Sequence, residues 1–330
     1  MDAAAFLATV RGAVDARLRE FLAGRVEEAR RLGPATGAVA ETVADLTMRG
    51  GKRLRAAFVA AGARVAGEKI PSPGTITIGA AVEIFQAYLL IHDDWMDGDE
   101  SRRGGPTAHV ALGRRLGEEH SAVAAVLAGD LASAWSRTLL GDTRSVWSHQ
   151  EERVVLGQIL DVFGGAPPSL VVTLKTTSYT VLMPLLLGLG TGPAFADRAP
   201  FLAYAHHVGE AFQLRDDLLG LVGDPAETGK PVGTDLLRGK RTPPVIDALD
   251  HGDDDARAAI EAVLGHADAP AAHLRAAIDA LVSCGAVERA ERRIHAALEH
   301  ARGDLAAAYC DDEAKDLLVG LARLAAERTK

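Results

Sequence analysis

The chain has 330 residues, 48% hydrophobic and only 5% aromatic, enough apolar content for a substantial core in one large domain or two smaller ones. A formal net charge of -9 argues against duplex nucleic acid as a partner. Cys284 and Cys310, the only cysteines, fit no metal-ligand spacing and no disulfide framework, so a reducing, cytoplasmic setting is expected.

Residues 3–32 set Phe6, Val10, Val14, Leu18 and Leu22 at helical spacing and stop at Gly33-Pro34. This stretch is amphipathic and charged, without the apolar core of a signal peptide. A second helix runs to about Met48. Gly50-Gly51 then gives a turn before Lys52, Arg53 and Arg55. Cations at a helix start oppose its dipole, and a bound anion would relieve the conflict; a basic surface turn is the other reading. Pro71-Ser72-Pro73-Gly74 is a loop, and residues 75–97 form a long helix. Its apolar run, 82–91, leads into Asp93-Asp94-Trp95-Met96-Asp97. Asp93 and Asp97 share a face, and Asp94 is rotated away by about 100°. Arg102 and Arg103 follow in a Gly-rich turn. Carboxylates one turn apart suit Mg²⁺, which takes one or two of them and keeps waters; guanidinium groups suit phosphate oxygens.

Helices follow over 107–116, 119–140 and 145–163, the first pair divided near Gly117. Gln158 and Asp161 share a face of the last, which ends at Gly164-Gly165-Ala166-Pro167-Pro168. Residues 169–190 are rich in β-branched side chains that would suit a strand, but with no partner strand elsewhere they are read as helix. Lys175 within them needs a counter-charge or a path to water. Residues 197–219 repeat the earlier layout: Gln213 lies one turn before Asp216 and Asp217, and a loop carrying Lys230, Lys240 and Arg241 follows. Gly220, Gly223 and Pro225 are expected to break this helix. His206 and His207 have no second ligand at metal spacing. Pro243-Pro244 opens a tail of short helices. The apolar stretches near 122–129 and 181–190 are too short for a bilayer, so no transmembrane segment is expected. The pattern is all-α, and no linker or repeat demands a second domain.

The two acidic poles resemble the paired aspartate-rich motifs of the trans-isoprenyl diphosphate synthases, the polyprenyl synthetase family. Gly50-Gly51-Lys52-Arg53-Leu54-Arg55 resembles the family's G-G-K-R-x-R. Ser101-Arg102-Arg103-Gly104 with Pro106-Thr107 resembles its x-R-R-G-x-P-T. Lys175-Thr176 resembles its K-T pair, and Phe212-Gln213 with Asp216-Asp217 its F-Q-x-x-D-D. Gly229-Lys230 and Gly239-Lys240 resemble the late lysines. Gly220 stands where many members carry a further aspartate; Asp224, or Asp216 with water, is the expected substitute.

The resemblance implies a single-domain helical bundle around a central apolar cavity, working as a homodimer. It implies head-to-tail condensation of isopentenyl diphosphate with an allylic diphosphate. Three Mg²⁺ ions would sit on Asp93, Asp94, Asp97, Asp216 and Asp217. Arg102, Lys175, Thr176, Gln213, Lys230 and Lys240 would complete the clamp on the allylic diphosphate. Lys52, Arg55, Gln86 and Arg103 would hold isopentenyl diphosphate, although Gln86 could equally make an interhelical hydrogen bond. Tyr88, five residues before Asp93, and Phe85 are candidates for the floor that limits product length, or Tyr88 faces a neighbouring helix. Geranylgeranyl diphosphate (C20) is the expected product, with farnesyl (C15) or a longer chain as the alternative. A terpene cyclase lacks the Lys52, Arg55 and Arg103 set; a catalytically silent helical partner of a synthase is the alternative of another class.

Overall fold

Helix boundaries follow the capping and breaking residues of the sequence. The computed structural model describes residues 2–141, 144–190, 198–223 and 232–326. Helix α1 (Ala3–Leu32) starts at Asp2, whose carboxylate accepts from the Ala4 and Ala5 amides, and α2 (Pro34–Met48) begins on proline, which needs no amide partner there. Helix α3 (Leu54–Val65) follows the glycine turn. Ser72 caps α4 (Pro73–Asp97) by accepting from the Thr75 amide at 3.2 Å, and Gly98 ends it in the left-handed conformation. Then come α5 (Ala108–Leu116), α6 (Ser121–Thr138), α7 (Arg144–Phe163) and the single turn α8 (Pro168–Val171). Residues Val172–Leu182 form a wide π-helix that runs on into α9 (Met183–Leu189). After α10 (Ala199–Val222) the tail holds α11 (Thr234–Leu237), α12 (Pro243–His251), α13 (Asp254–Glu261), α14 (Ala271–Ser283), α15 (Ala286–Asp304) and α16 (Asp312–Ala326). The only strands among the described residues are β1 (Ser101–Arg102) and β2 (Gly105–Pro106), a two-residue antiparallel pair.

The contacts divide the chain into two compact units. The first comprises Met1–Gln150, Met183–Asp197 and Tyr309–Leu321. In it α4 lies along α6, and α3 crosses α9. Gly62 and Gly188 face each other at that crossing: a methyl group on Gly62 would overlap the Leu185 carbonyl oxygen, and one on Gly188 the Val59 carbonyl oxygen. The backbones touch because neither residue has a side chain. Phe58, Ile84, Phe85 and Leu185 are among the fully buried side chains of this unit. Arg64 holds the start of α16 through Asp311 and Glu313, each at 2.9 Å.

The second unit comprises Glu151–Leu182, Arg198–Ala308 and Ala322–Lys330. Here α10 packs on α15 and on the π-helix. Arg215 makes two 2.6 Å bonds to Glu291 and donates to the Ala326 carbonyl at 2.7 Å. A smaller core gathers Leu221, Leu236, Val245, Ile260 and Leu281. Two more glycines set spacing: a methyl on Gly157 would meet the Lys175 backbone, and one on Gly209 the Thr177 side chain. The π-helix, wider than an α-helix, fits between α7 and α10 at those points.

Two expectations are corrected. Gly220 does not break its helix; α10 runs on to Val222 and Gly223 caps it. The long apolar stretches are not all short: Pro73–Asp97 and Pro168–Leu189 have the length and composition of a membrane span. In these, 67% and 56% of the most apolar window is buried inside the protein, as in the core helices of a folded bundle.

Adding one carbon at the α3–α9 crossing forces the two backbones apart. Gly188→Ala is expected to lower stability by about 1–3 kcal/mol, read from the midpoint of urea unfolding; an unshifted midpoint would show that the helices separate at little cost.

Candidate functional site

The first cluster of candidate residues is the C-terminal end of α4 with the segment that follows. Asp93 and Asp97 lie one turn apart and half-buried, as their spacing predicts. Asp94 points inward and is wholly buried. Its Oδ1 accepts from both Nε and Nη2 of Arg102, the Nε bond being 2.8 Å, and Arg102 Nη2 also reaches Asp99 at 3.1 Å. Burial alone would lower the Arg102 pKa, but the bond and charge of Asp94, then the charges of Asp99 and Asp93, outweigh it and raise it. Asp94, expected among the metal ligands, pairs with Arg102 through its Oδ1 in this structure, and Arg102 is largely enclosed.

The segment between β1 and β2 is a tight hairpin. Arg103 and Gly104 form its turn with φ of 51° and 73°, the left-handed pair that matches strand twist. Arg49, at the end of α2, grips it by donating to the carbonyls of Arg102 (3.2 Å) and Pro106 (2.9 Å). Arg103 Nη1 donates back to the Arg49 carbonyl at 3.1 Å. The Arg103 guanidinium lies over Gly51, where a methyl group would come within 3.5 Å of Nη2. Arg53 is left-handed at φ 56° and deeply buried, paired with Asp15 (2.8 Å) and Glu83 (3.3 Å). Arg55 is buried, Lys52 exposed and Gln86 half-buried. Burial lowers the Arg103 pKa to about 10; Glu83 opposes the shift, and Arg55, Arg53 and Arg102 add to it by repulsion. Cations crowded to that degree suit a polyanion.

A second cluster of candidate residues lies within the other unit. Lys175 on the π-helix donates to Asp161 of α7 at 2.6 Å, so the counter-charge it needs is already a protein carboxylate. Thr176 Oγ1 donates to Gln213 Oε1 at 2.5 Å, and Gln213 Nε2 donates to Asp217 Oδ1 at 2.8 Å. Gln213, expected to touch substrate, is held at both ends by these neighbours. Asp216 is exposed and Asp217 buried. Burial raises the Asp217 pKa to about 7; Gln213 lowers it, Asp216 and Asp235 raise it further, and Lys240 lowers it. Lys230, and Asp224 proposed as a substitute acid, lie outside the described residues.

Asp235 was missed in the sequence. A methyl on Gly220 would lie 3.1 Å from Asp235 Oδ2, and the Gly233 amide donates to the Gly220 carbonyl at 2.9 Å. The carboxylate of Asp235 thus occupies the space beside α10 left open by the missing side chain at 220. Lys240 Nζ lies 3.7 Å from its Oδ1. The signal for Arg49 and Asp235 was weak: each is a single charge outside any motif spacing.

Among the described residues, no group of three or more His, Cys, Asp or Glu side chains is arranged to hold a metal ion. Asp93 with Asp97, and Asp216, are hard oxygen donors on partly or fully exposed helix faces. Such a sparse donor set fits Mg²⁺, which is completed by water and phosphate oxygens, and does not fit a metal that needs a closed protein cage.

An all-α fold that carries partly exposed carboxylates beside crowded arginines has the groups needed to hold magnesium and a phosphate-bearing ligand. Comparison with known proteins gives its family. Residues 37–281 match polyprenyl synthetase. The short chain isoprenyl diphosphate synthase of Methanocaldococcus jannaschii is 32% identical over 251 residues, 72% of this chain and 74% of that protein. The geranylfarnesyl diphosphate synthase of Aeropyrum pernix is 33% identical over 306 residues, 86% of this chain and 92% of that one. A crystal structure of geranylgeranyl pyrophosphate synthase from Corynebacterium glutamicum, complexed with isoprenyl diphosphate and magnesium, superposes with a TM-score of 0.85 at 31% identity, covering 99% of this chain and 100% of that one. The chain belongs to the polyprenyl synthetase family and is a prenyltransferase, a trans-prenyl diphosphate synthase.

The buried Asp217 gives a pH test. Its pKa is about 7 in the folded protein against a reference of 3.8, so the folded state holds the proton more tightly than the unfolded one. The contribution to stability is then complete below the unfolded pKa and is lost as pH rises to the folded value. In metal-free protein, wild type is expected to lose stability relative to Asp217→Asn between about pH 4 and pH 7, by on the order of a few kcal/mol. Parallel melting curves for the two proteins across that window would contradict this.

Proposed function

We propose that this enzyme condenses isopentenyl diphosphate with an allylic diphosphate head to tail and releases geranylgeranyl diphosphate, C20. The observation that carries the substrate reading is the arginine cluster that follows Asp93 and Asp97: Arg102 is fixed on the buried Asp94, and the Arg103 guanidinium lies over Gly51. The Corynebacterium glutamicum neighbour, described as complexed with isoprenyl diphosphate and magnesium, supports the same chemistry for this chain.

Each residue then has a physical task. Lys52, Arg55 and Arg103 hold the diphosphate of isopentenyl diphosphate, with Gln86 beside them. Asp94 keeps Arg102 charged and aimed. Lys175, exchanging Asp161 for phosphate oxygen, and Lys230 and Lys240 bind the allylic diphosphate, with Thr176 and Gln213 fixing the Asp217 side of the site. Asp93 with Asp97, and separately Asp216, would hold magnesium, three ions in all, and the bound ions would supply the positive charge that lets the diphosphate depart. The allylic C1–O bond breaks and the electron pair leaves with diphosphate. The isopentenyl double bond forms the new C–C bond to C1, and the departing diphosphate takes the proton lost from the adjacent carbon. Apolar walls protect the cation from water. The working form is a cytoplasmic homodimer.

Product length is the finer part of the reading. Its support is the position of Tyr88, half-buried about 7.5 Å along the α4 axis from Asp93, with its ring 5.3 Å from that of the buried Phe85. Relatives are named for different lengths, geranylfarnesyl among them, so the floor must be tested in this chain.

Purified protein with Mg²⁺, isopentenyl diphosphate and each allylic diphosphate in turn is expected to yield mainly C20 by product sizing; a farnesyl or longer main product would replace the C20 assignment. Asp93→Ala is expected to reduce turnover by about 10²–10³-fold in the same assay, and wild-type rates would remove Asp93 from the site. Tyr88→Ala is expected to lengthen the products; an unchanged distribution would reject Tyr88 as the stop.

A further inference from the structure

Helix α4 changes character at Phe85. From Ile78 to Phe85 every residue is buried, whereas Gln86, Tyr88, Leu89, Leu90, His92 and Asp93 are half-exposed. The continuously buried stretch of α4 therefore ends at Phe85, about 12 Å along the axis from Asp93. At that level the rings form a column. His92 and Tyr88 are 5.0 Å apart at 73°, Tyr88 and Phe85 5.3 Å at 44°, and Phe85 and Trp147 4.8 Å at 66°. Residues 85, 88 and 92 share one stripe of the helix, but Trp147 comes from α7. The upper end of the column is fixed: His92 Nε2 lies 3.1 Å from the Val126 carbonyl on α6, and Gly129 leaves room for its ring. The lower end is Trp147, 1% exposed, whose indole N–H is buried with no hydrogen-bond partner among the described residues. A buried tryptophan that forgoes its hydrogen bond is held there by the bulk of its ring.

We infer that Trp147 is a specificity-determining residue for product length: it backs Phe85, which backs Tyr88, so the limit on chain growth is the whole ring column and not the tyrosine alone. The inference rests on the reading of α4 as the wall along which the product grows. Removing Trp147 leaves space behind Phe85, and the ring can drop into it and deepen the floor while the aspartates and arginines stay in place. The extra products arise by further rounds of the same condensation, each consuming one isopentenyl diphosphate and releasing one diphosphate.

The test compares Trp147→Ala, Trp147→Leu, Trp147→Phe and Tyr88→Ala, each checked for wild-type helicity by circular dichroism. All are assayed with Mg²⁺, isopentenyl diphosphate and an allylic diphosphate. In Trp147→Ala, or in Trp147→Leu should the alanine variant not fold, the share of product longer than wild type is expected to rise roughly ten-fold or more. The rate of the first condensation should stay within a few-fold, and Trp147→Phe should restore the wild-type distribution. Longer products from Tyr88→Ala with an unchanged distribution in folded Trp147→Ala and Trp147→Leu would overturn the inference and leave the floor reading standing. No change in any variant would overturn both. A fall in first-condensation rate without longer products would make Trp147 a merely structural residue, and so would also overturn it.

Discussion

The first acidic motif depends on one buried ion pair. Asp94 is enclosed and its Oδ1 accepts from Arg102, which ties the tip of α4 to the hairpin after it. Removing one partner of such a pair costs roughly 3–5 kcal/mol, because the other is left as a bare charge out of water. With the central aspartate turned inward, Asp93 and Asp97 remain on the accessible edge of the helix at a fixed spacing. Arg102 in turn sets the hairpin, and Arg49 closes it from α2. The arginine cluster is therefore organised by carboxylates beneath it, Asp15 and Glu83 under Arg53 and Asp94 under Arg102, while Arg103 carries the unfavourable shift that an anion would reverse.

The second unit solves the same problem with backbone geometry. A π-helix of eleven residues is long for a type that occurs mostly as single-turn bulges, which are frequent at functional sites. Here it carries Lys175 and Thr176, and the glycines at 157 and 209 admit its extra width. Thr176, Gln213 and Asp217 form one chain of hydrogen bonds, so the orientation of the buried carboxylate on α10 is linked to the helix that bears the lysine.

Much of this was legible in the sequence because it follows from short-range rules. Gly33-Pro34 ends α1, and Ser72-Pro73 starts α4, by local capping chemistry. The spacing of Asp93 and Asp97 fixes their shared face. What the sequence did not reveal depends on distant partners. Adjacent aspartates look alike in a string; only the approach of Arg102 separates Asp94 from Asp93. The β-branched run at 171–180 would suit a strand and reads as helix; it is a π-helix, which α7 and α10 pass closely at Gly157 and Gly209. Gly220 read as a breaker because glycine disfavours helices in isolation; packing on α11 overrides that preference.

Gly220 and Asp235 bear on how relatives of this enzyme are judged from their sequences. Counting aspartates along the second motif would score the chain as degraded by one. In space the acid has moved to a different element: it arrives fifteen positions later, on the short helix that begins after Gly233. An acid on α10 would be fixed by that helix, whereas Asp235 rides on a segment joined to it by the Gly233–Gly220 bond. A motif shortened at position 220 therefore still has a carboxylate beside it in space, supplied by a second element.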